Sequence, residues 1–231
     1  MRLDKFLVHS GLLSRREAAK AVRAGQVTCD GRAAKSPDMQ IDPENTRVEY
    51  KKQPVEYSEY TYIMLNKPTG YISATDDPRE KTVLELLPEN LRRRGLFPCG
   101  RLDKNTLGLL ILTNDGETAH KNLSPKKHAE KEYRFECRDD IGDISEMERG
   151  VTLDDGYVTL PCKICLETER KGVITLYEGK YHQIKRMIEA RENKITYLER
   201  ISFAGIKLDA DLPRGKWRYL NEDEIKMLKK Q

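Results

Sequence analysis

Apolar positions in the first fifty residues recur at helical spacing and then give way to alternation. In "LDKFLVHSG" Leu3, Phe6 and Leu7 share one helical face, and Gly11 follows as a breaker. Ser14-Arg15-Arg16-Glu17 reads as a capping box, in which the serine caps the Glu17 amide and the glutamate reaches back. The helix it opens turns Ala18 and Val22 toward a core and ends at Gly25, a natural residue just past a helix. "VTCDGRA" predicts a hairpin around Asp30-Gly31, and "RVEY" at 47–50 a closing strand. Residues 51–59, "KKQPVEYSE", are polar, contain a proline and lack periodicity, which predicts a linker between a domain over 1–50 and another over 60–231.

From Tyr60 the pattern changes to strands with a few helices between them. "YIMLNKPTGYISAT" predicts two strands around a Lys67-Pro68-Thr69-Gly70 turn, and "TVLELLPENLRRRG" a short helix followed by a basic cluster, Arg92, Arg93 and Arg94. "LLILT" at 109–113 is apolar throughout, as for a strand buried on both faces. "EYRFEC", "GVITLY" and "GIKLD" read as further strands. "HQIKRMIEA" reads as a helix with Ile184, Met187 and Ile188 inward, and Asn221 with Glu224 as a capping box opening the last helix. The sum is an α+β fold, a small unit joined to a larger sheet domain.

Composition narrows the classes. The net charge of +4, from 42 Lys and Arg against 38 Asp and Glu, is modest, so the distribution of charge matters more than the total. Arg16, Lys20 and Arg23 share one face of the second helix, with Arg15 beside them and Glu17 as the one acid between Ser14 and Gly25. That face is either a solvated surface or a phosphate-binding stripe. "SPKKHAEK" adds Lys126, Lys127 and His128 in a second basic stretch. The charged start and the lack of a long apolar run predict an intracellular, cytoplasmic protein without a membrane partner. Five cysteines without an export signal predict free thiols. Cys162 and Cys165 form one C-x-x-C, a weak zinc signal, and the same stretch reads as a strand with the two thiols on opposite faces. No phosphate-binding glycine loop is present, and neither a cofactor nor a metal is expected.

The tetrapeptide Arg-Leu-Asp-Lys occurs twice, at 2–5 and at 101–104. Asp4 falls in the first turn of a helix, where a carboxylate favours the positive end and needs no further explanation. Asp103 falls in a loop between Gly100 and Gly108, just before the buried strand, with Arg101 near enough to pair with it or with a ligand. Such loops carry functional residues, and they also carry aspartates that only form turns.

"GRLDKNTLGLLILTNDG" resembles the central signature of the ribosomal small subunit pseudouridine synthase A family. "MLNKPTGYISATDDP", "EKEYRF", "EGKYHQIKRM" and "LERISFAGIKLDADLPRGKWRYL" resemble its other motifs in the same order. The start, "RLDKFLVHSGLLSRREAAKAVRAGQVTCDGR", resembles an S-four-type RNA-binding domain. The resemblance spans nearly the whole chain. It implies a catalytic domain with a mixed, mainly antiparallel sheet, and cofactor-free isomerisation of one uridine in 16S rRNA to pseudouridine. A related enzyme of 23S rRNA and a non-catalytic ribosome-assembly factor are the alternatives.

The resemblance maps the family's essential carboxylate onto Asp103 and its basic partner onto Lys185, with Arg186 the next candidate. It maps the pocket tyrosine onto Tyr133 and a leucine under the nucleotide onto Leu198. Without it, Lys185 reads as a surface partner of Glu189, and Tyr133 and Leu198 as core. Ribosomal RNA of the small subunit, naked or within a particle, is the implied partner of a monomer. Its phosphates would meet Arg15, Arg16, Lys20 and Arg23 in the small domain, and Arg92, Arg93, Arg94, Lys126, Lys127 and His128 in the large one.

Overall fold

The computed structural model describes residues 1–124 and 129–230. The chain forms two units: Met1–Thr61 with Leu84–Phe97, and Tyr62–Val83 with the chain from Pro98 onward.

In the first unit, helices α1 (Leu3–His9) and α2 (Arg15–Arg23) precede a small sheet. Its strands are β1 (Val27–Cys29), β2 (Arg32–Ala33), β3 (Val48–Tyr50) and β4 (Gln53–Pro54), antiparallel in the order β2-β1-β3-β4. Ser14 and Glu17 form the capping box reciprocally, at 3.3 and 2.7 Å. Asp30 and Gly31 both take positive φ, as the tight turn between β1 and β2 requires. Leu3, Phe6, Leu7, Ala18, Val22 and Val27 are buried together. The stretch read as a linker over 51–59 carries β4, and Val55 lies in this core. Its polarity hides a two-residue edge strand, where a proline is tolerated.

The sequence-predicted short helix after residue 82 divides in two, a 3₁₀ turn at Val83–Leu86 and α3 at Glu89–Arg92, with Pro88 between them unable to continue the helical ladder. The segment Leu84–Phe97 belongs with the first unit. There Arg94 donates to the Thr61 hydroxyl (2.9 Å) and the Ser10 carbonyl (3.0 Å), and Arg93 pairs with Glu17 and Glu89. These two arginines fasten the fold, and of the three Arg92 is the exposed one.

The second unit is one long sheet. Its strands are β5 (Tyr62–Lys67), β6 (Phe97–Cys99), β7 (Leu107–Thr113), β8 (Lys131–Cys137), β9 (Lys163–Thr168), β10 (Lys171–Leu176), β11 (Ile195–Phe203), β12 (Ile206–Lys207) and β13 (Trp217–Tyr219). The main path runs β13-β5-β7-β11-β8-β10-β9, with β12 beside β11 and β6 beside β7. Along the main path and between β11 and β12, pairing is antiparallel except between β7 and β11, which is parallel. Every residue of β5 and all but the first of β7 are buried, as their continuous apolar runs demand. Helices α4 (Gly116–Leu123), α5 (Ser145–Arg149), α6 (Gln183–Glu189) and α7 (Glu222–Lys229) complete the unit. Ile184, Met187 and Ile188 face inward on α6, and Asn221 and Glu224 cap α7 reciprocally.

Only one strand stands where "YIMLNKPTGYISAT" predicts two. After the turn at 68–70 the backbone bonds elsewhere, Gly70 N–H to the Lys104 carbonyl and Ile72 N–H to Lys81, so no hairpin closes on β5. Gly108 sits on β7 opposite Arg200 of its parallel partner β11. A Cβ there would lie 2.3 Å from the Arg200 carbonyl oxygen, and φ is +96°. Only glycine fits that approach.

Candidate active site

Asp103 stands in the loop that runs from Gly100 to β7, and that loop is held from two sides. The Ser73 hydroxyl accepts from the Leu102 amide (3.0 Å) and donates to the Leu102 carbonyl (2.9 Å). On the other side, the three N–H groups of the Lys67 ammonium are shared among four carbonyls: Thr106 at 2.8 Å, Asp103 at 3.0 Å, and Pro68 and Lys104 at 3.1 Å. Lys67 is fully buried at the end of β5. Burial pushes its amine down to about 8, Asp103 pulls it up and Lys185 lowers it further. Lys67 and Ser73 belong to the stretch "NKPTGYIS", so one motif exists to shape the loop of another. A lysine embedded in an apolar run was the signal for Lys67, passed over as part of a turn.

The Asp103 carboxylate receives the Lys185 ammonium at 2.6 Å, and His182 Nε2 lies 3.5 Å from its other oxygen. Both partners of the ion pair keep solvent access, with side chains 28% and 25% exposed. The pair is therefore partly open to solvent, and its strength is screened accordingly. Lys185 reaches Asp103 from the first turn of α6, not Glu189 one turn on. Arg186, the other candidate, turns away and pairs with Asp154 and with Asp155 at 2.7 Å. Consecutive helical positions point about 100° apart, so the two cannot both serve Asp103.

Tyr133 and Arg200 are paired across β8 and β11, and Leu198 lies two residues before Arg200 on the same face. Asp103, Tyr133, Lys185, Leu198 and Arg101 all line one cleft of about 820 Å³. Arg101 is exposed at the cleft wall, with no ion pair to Asp103. Among the described residues the lining is cationic: Arg101, Lys104, Lys131, Lys180, Lys185 and Arg200 face two carboxylates, Asp103 and Glu178. Lys131 donates to the Ala129 carbonyl (2.7 Å), and burial pushes its amine down to about 8. Arg200 is buried, donates to the Leu109 carbonyl (2.8 Å) and lies over the Phe203 ring.

The far wall is built around Glu178. Its carboxylate accepts from the Tyr157 hydroxyl (2.7 Å), the Leu160 amide (2.8 Å) and the Gln183 side chain (2.9 Å). Gln183 also accepts from the Lys180 amide, which fixes the turn into α6. Glu178 and Gln183 stand in the motif "EGKYHQIKRM" without having been singled out for this role, and Tyr157 carried no signal in the sequence. The second aspartate of the central motif, Asp115, is structural: it caps α4 through Thr118 and accepts from Tyr62. Among the described residues no group of three or more side chains is placed to hold a metal. Cys162 is buried, its thiol pushed up to about 11, while Cys165 is exposed. Arg15, Arg16, Lys20 and Arg23 are exposed on α2. Lys126, Lys127 and His128 lie outside the described residues.

A long mixed sheet with a cationic cleft around one carboxylate, in a chain that begins with a small helical and stranded unit, matches known families. A family model described as RNA pseudouridylate synthase matches residues 61–190, and an S4 domain model matches residues 1–46. The chain belongs to the RNA pseudouridylate synthase family: it is an isomerase acting on RNA, with an S4 RNA-binding domain.

Among its relatives, "Uncharacterized RNA pseudouridine synthase YtzG" of Bacillus subtilis is 45% identical over 99% of this chain and 98% of its own. "Ribosomal small subunit pseudouridine synthase A" of Escherichia coli K12 is 38% identical over 97% of this chain and 98% of its own. A solved structure titled "Crystal structure of pseudouridylate synthase" superposes with a TM-score of 0.70 at 34% identity, covering 99% of both chains. No helix among the described residues is long and apolar enough to cross a membrane.

Proposed function

We propose that this chain converts one uridine of 16S rRNA to pseudouridine, without a cofactor, using Asp103 as its essential carboxylate. The observation that carries this reading is the Asp103–Lys185 pair, 2.6 Å apart and half-open to a cleft lined by Tyr133 and Leu198. Support for the small-subunit substrate comes from relatives named for it that align with nearly the whole chain.

The reaction breaks the bond between N1 and the ribose and joins carbon 5 in its place; carbon 5 releases its proton to solvent and N1 takes one up. Atoms are conserved, so no redox partner is needed. An ionised carboxylate held against the nucleotide can attack the sugar, attack the base or take a ribose proton. Lys185 pairs with Asp103 and aims it, Tyr133 offers a ring face for the base, and Leu198 supplies the apolar wall. Extruding the uridine costs a few kcal/mol, which phosphate contacts from Arg15, Arg16, Lys20, Arg23 and Arg92 offset. The enzyme works as a cytoplasmic monomer on small-subunit RNA.

Tritium release from carbon 5 of labelled 16S and 23S transcripts tests the reading, run beside a binding measurement. Release from 16S alone is expected, with Asp103→Asn folded, RNA-binding and silent. Release from 23S alone overturns the substrate, and release by Asp103→Asn overturns the carboxylate.

A further inference from the structure

Tyr181 precedes α6 and lines the cleft, yet 76% of it is exposed, the most of any large hydrophobic side chain among the described residues. Its ring is stacked on that of His182, with centroids 3.9 Å apart and planes 17° from parallel. His182 in turn stands 3.5 Å from the Asp103 carboxylate. Two rings thus lead from the carboxylate to open solvent. The backbone at His182 is left-handed (φ 50°, ψ 30°), a conformation uncommon outside glycine. Strain of that kind persists only where the surroundings hold it. Here the Gln183–Lys180 bond and the Arg186 contact to the Tyr181 carbonyl brace the turn.

An aromatic face left in water needs a reason. Its exposure excludes a core role, and it stands at the open end of the ring pair, with His182 between it and Asp103. Removing a uridine from a strand, however, strips its neighbours of a stacking partner. The rim of the cleft is where such a neighbour must lie. That rim is cationic, with Lys180 over the Tyr157 ring and Arg101 exposed on the loop of Asp103, as a phosphate backbone would require.

We propose that Tyr181, backed by His182, is a stacking platform for a base flanking the target uridine, a positioning residue for the reaction; this rests on the reading of the cleft as the pseudouridine synthase site. The base lies on the solvent face of the Tyr181 ring and continues the ladder that ends at Asp103. It replaces the stack lost on extrusion and sets the depth to which the uridine enters. Stacking tolerates any base, so the platform contributes affinity and register more than sequence choice.

The test uses the full chain and a single-stranded heptaribonucleotide with a central uridine flanked on both sides by 2-aminopurine, whose fluorescence falls on stacking. A second oligonucleotide has abasic sites at the two flanks. Wild type should quench the first probe on binding. Tyr181→Ala should lose the quench and bind on the order of 5- to 150-fold more weakly, while Tyr181→Phe restores both. Tyr181→Ala should leave binding of the abasic probe unchanged. On rRNA transcripts, the alanine variant should raise KM more than it lowers kcat. A wild type that does not quench, or an alanine variant that quenches and binds as wild type does, overturns the platform. Binding needs no turnover, so a failure of the 16S reading, seen as absent tritium release, stays distinct from a failure of this one.

Discussion

Replacing Lys67 by methionine probes how Asp103 is held. The ammonium donates to the carbonyls of Pro68, Asp103, Lys104 and Thr106. Methionine keeps the length and apolar stem and donates nothing. Two of the four acceptors retain another donor, Asp103 from the Thr106 amide and Lys104 from the Gly70 amide. The Pro68 and Thr106 carbonyls lose theirs. Thr106 is buried and Pro68 half-buried; a stripped buried acceptor costs ~1–3 kcal/mol, so the gross loss is at most roughly 2–6 kcal/mol. Against this, the variant no longer buries a cation. The Lys67 amine is held down to about 8 from 10.5, and at ~1.4 kcal/mol per unit its removal returns about 3 kcal/mol at neutral pH.

The net change at pH 7 should therefore fall between a gain of about 1 and a loss of about 3 kcal/mol. The pH dependence has a definite sign. Between about 8 and 10.5 the folded chain has released the Lys67 proton and the unfolded chain still binds it. Wild-type stability gains over the variant as pH rises through that window, by ~1.4 kcal/mol per unit. The penalty of Lys67→Met should accordingly be larger at pH 9 than at pH 7. Activity should suffer more than stability. Displacement of a reacting group by ~1 Å can cost ~10²-fold, so kcat should fall about 100-fold with KM little changed. Urea denaturation at the two pH values and tritium release at saturating RNA check this. A variant that matches wild type in stability at both pH values and in kcat refutes the clamp.

Asp4→Asn makes, in the first Arg-Leu-Asp-Lys, the change proposed for Asp103. It loses the two-point contact with Arg2 at 3.1 and 2.7 Å, which together with the Lys5 amide holds the carboxyl below its usual range. Stability should fall by ~1 kcal/mol or less near neutrality. That contribution is present above the ordinary carboxylate range and lost as pH falls through it, so the variant should show a shallower acid limb in denaturation while activity persists. Lys185→Met removes a pair that is one-quarter exposed on each side. Stability should change by about 1 kcal/mol or less, yet kcat should drop by more than tenfold; an undiminished kcat would mean that His182 alone suffices. Changing Arg16, Lys20 and Arg23 together to glutamine should weaken RNA binding and flatten the slope of log K against log salt by about 2–3. Turnover at saturating RNA should survive, and an unchanged slope would show that the stripe meets no phosphate.

Local features of this chain are written in local sequence. The Ser14–Glu17 and Asn221–Glu224 boxes, the Asp30-Gly31 turn and the inward faces of α2 and α6 each depend on residues within a turn or two. Family motifs named Asp103, Tyr133, Lys185 and Leu198, and the fold gathers them around one cleft. What decided their chemistry is long-range. Asp103 meets Lys185 across 82 positions and Lys67 across 36, and no periodicity reports such contacts. Strand β11 was hidden because Glu199 and Arg200 break its apolar pattern, and both are buried only because Arg214, Tyr197 and the Leu109 carbonyl wait for them. Two adjacent basic residues, Lys185 and Arg186, look interchangeable in sequence. One points at Asp103 and the other at Asp154 and Asp155, a choice made by the pitch of α6 and by where the sheet sets that helix down.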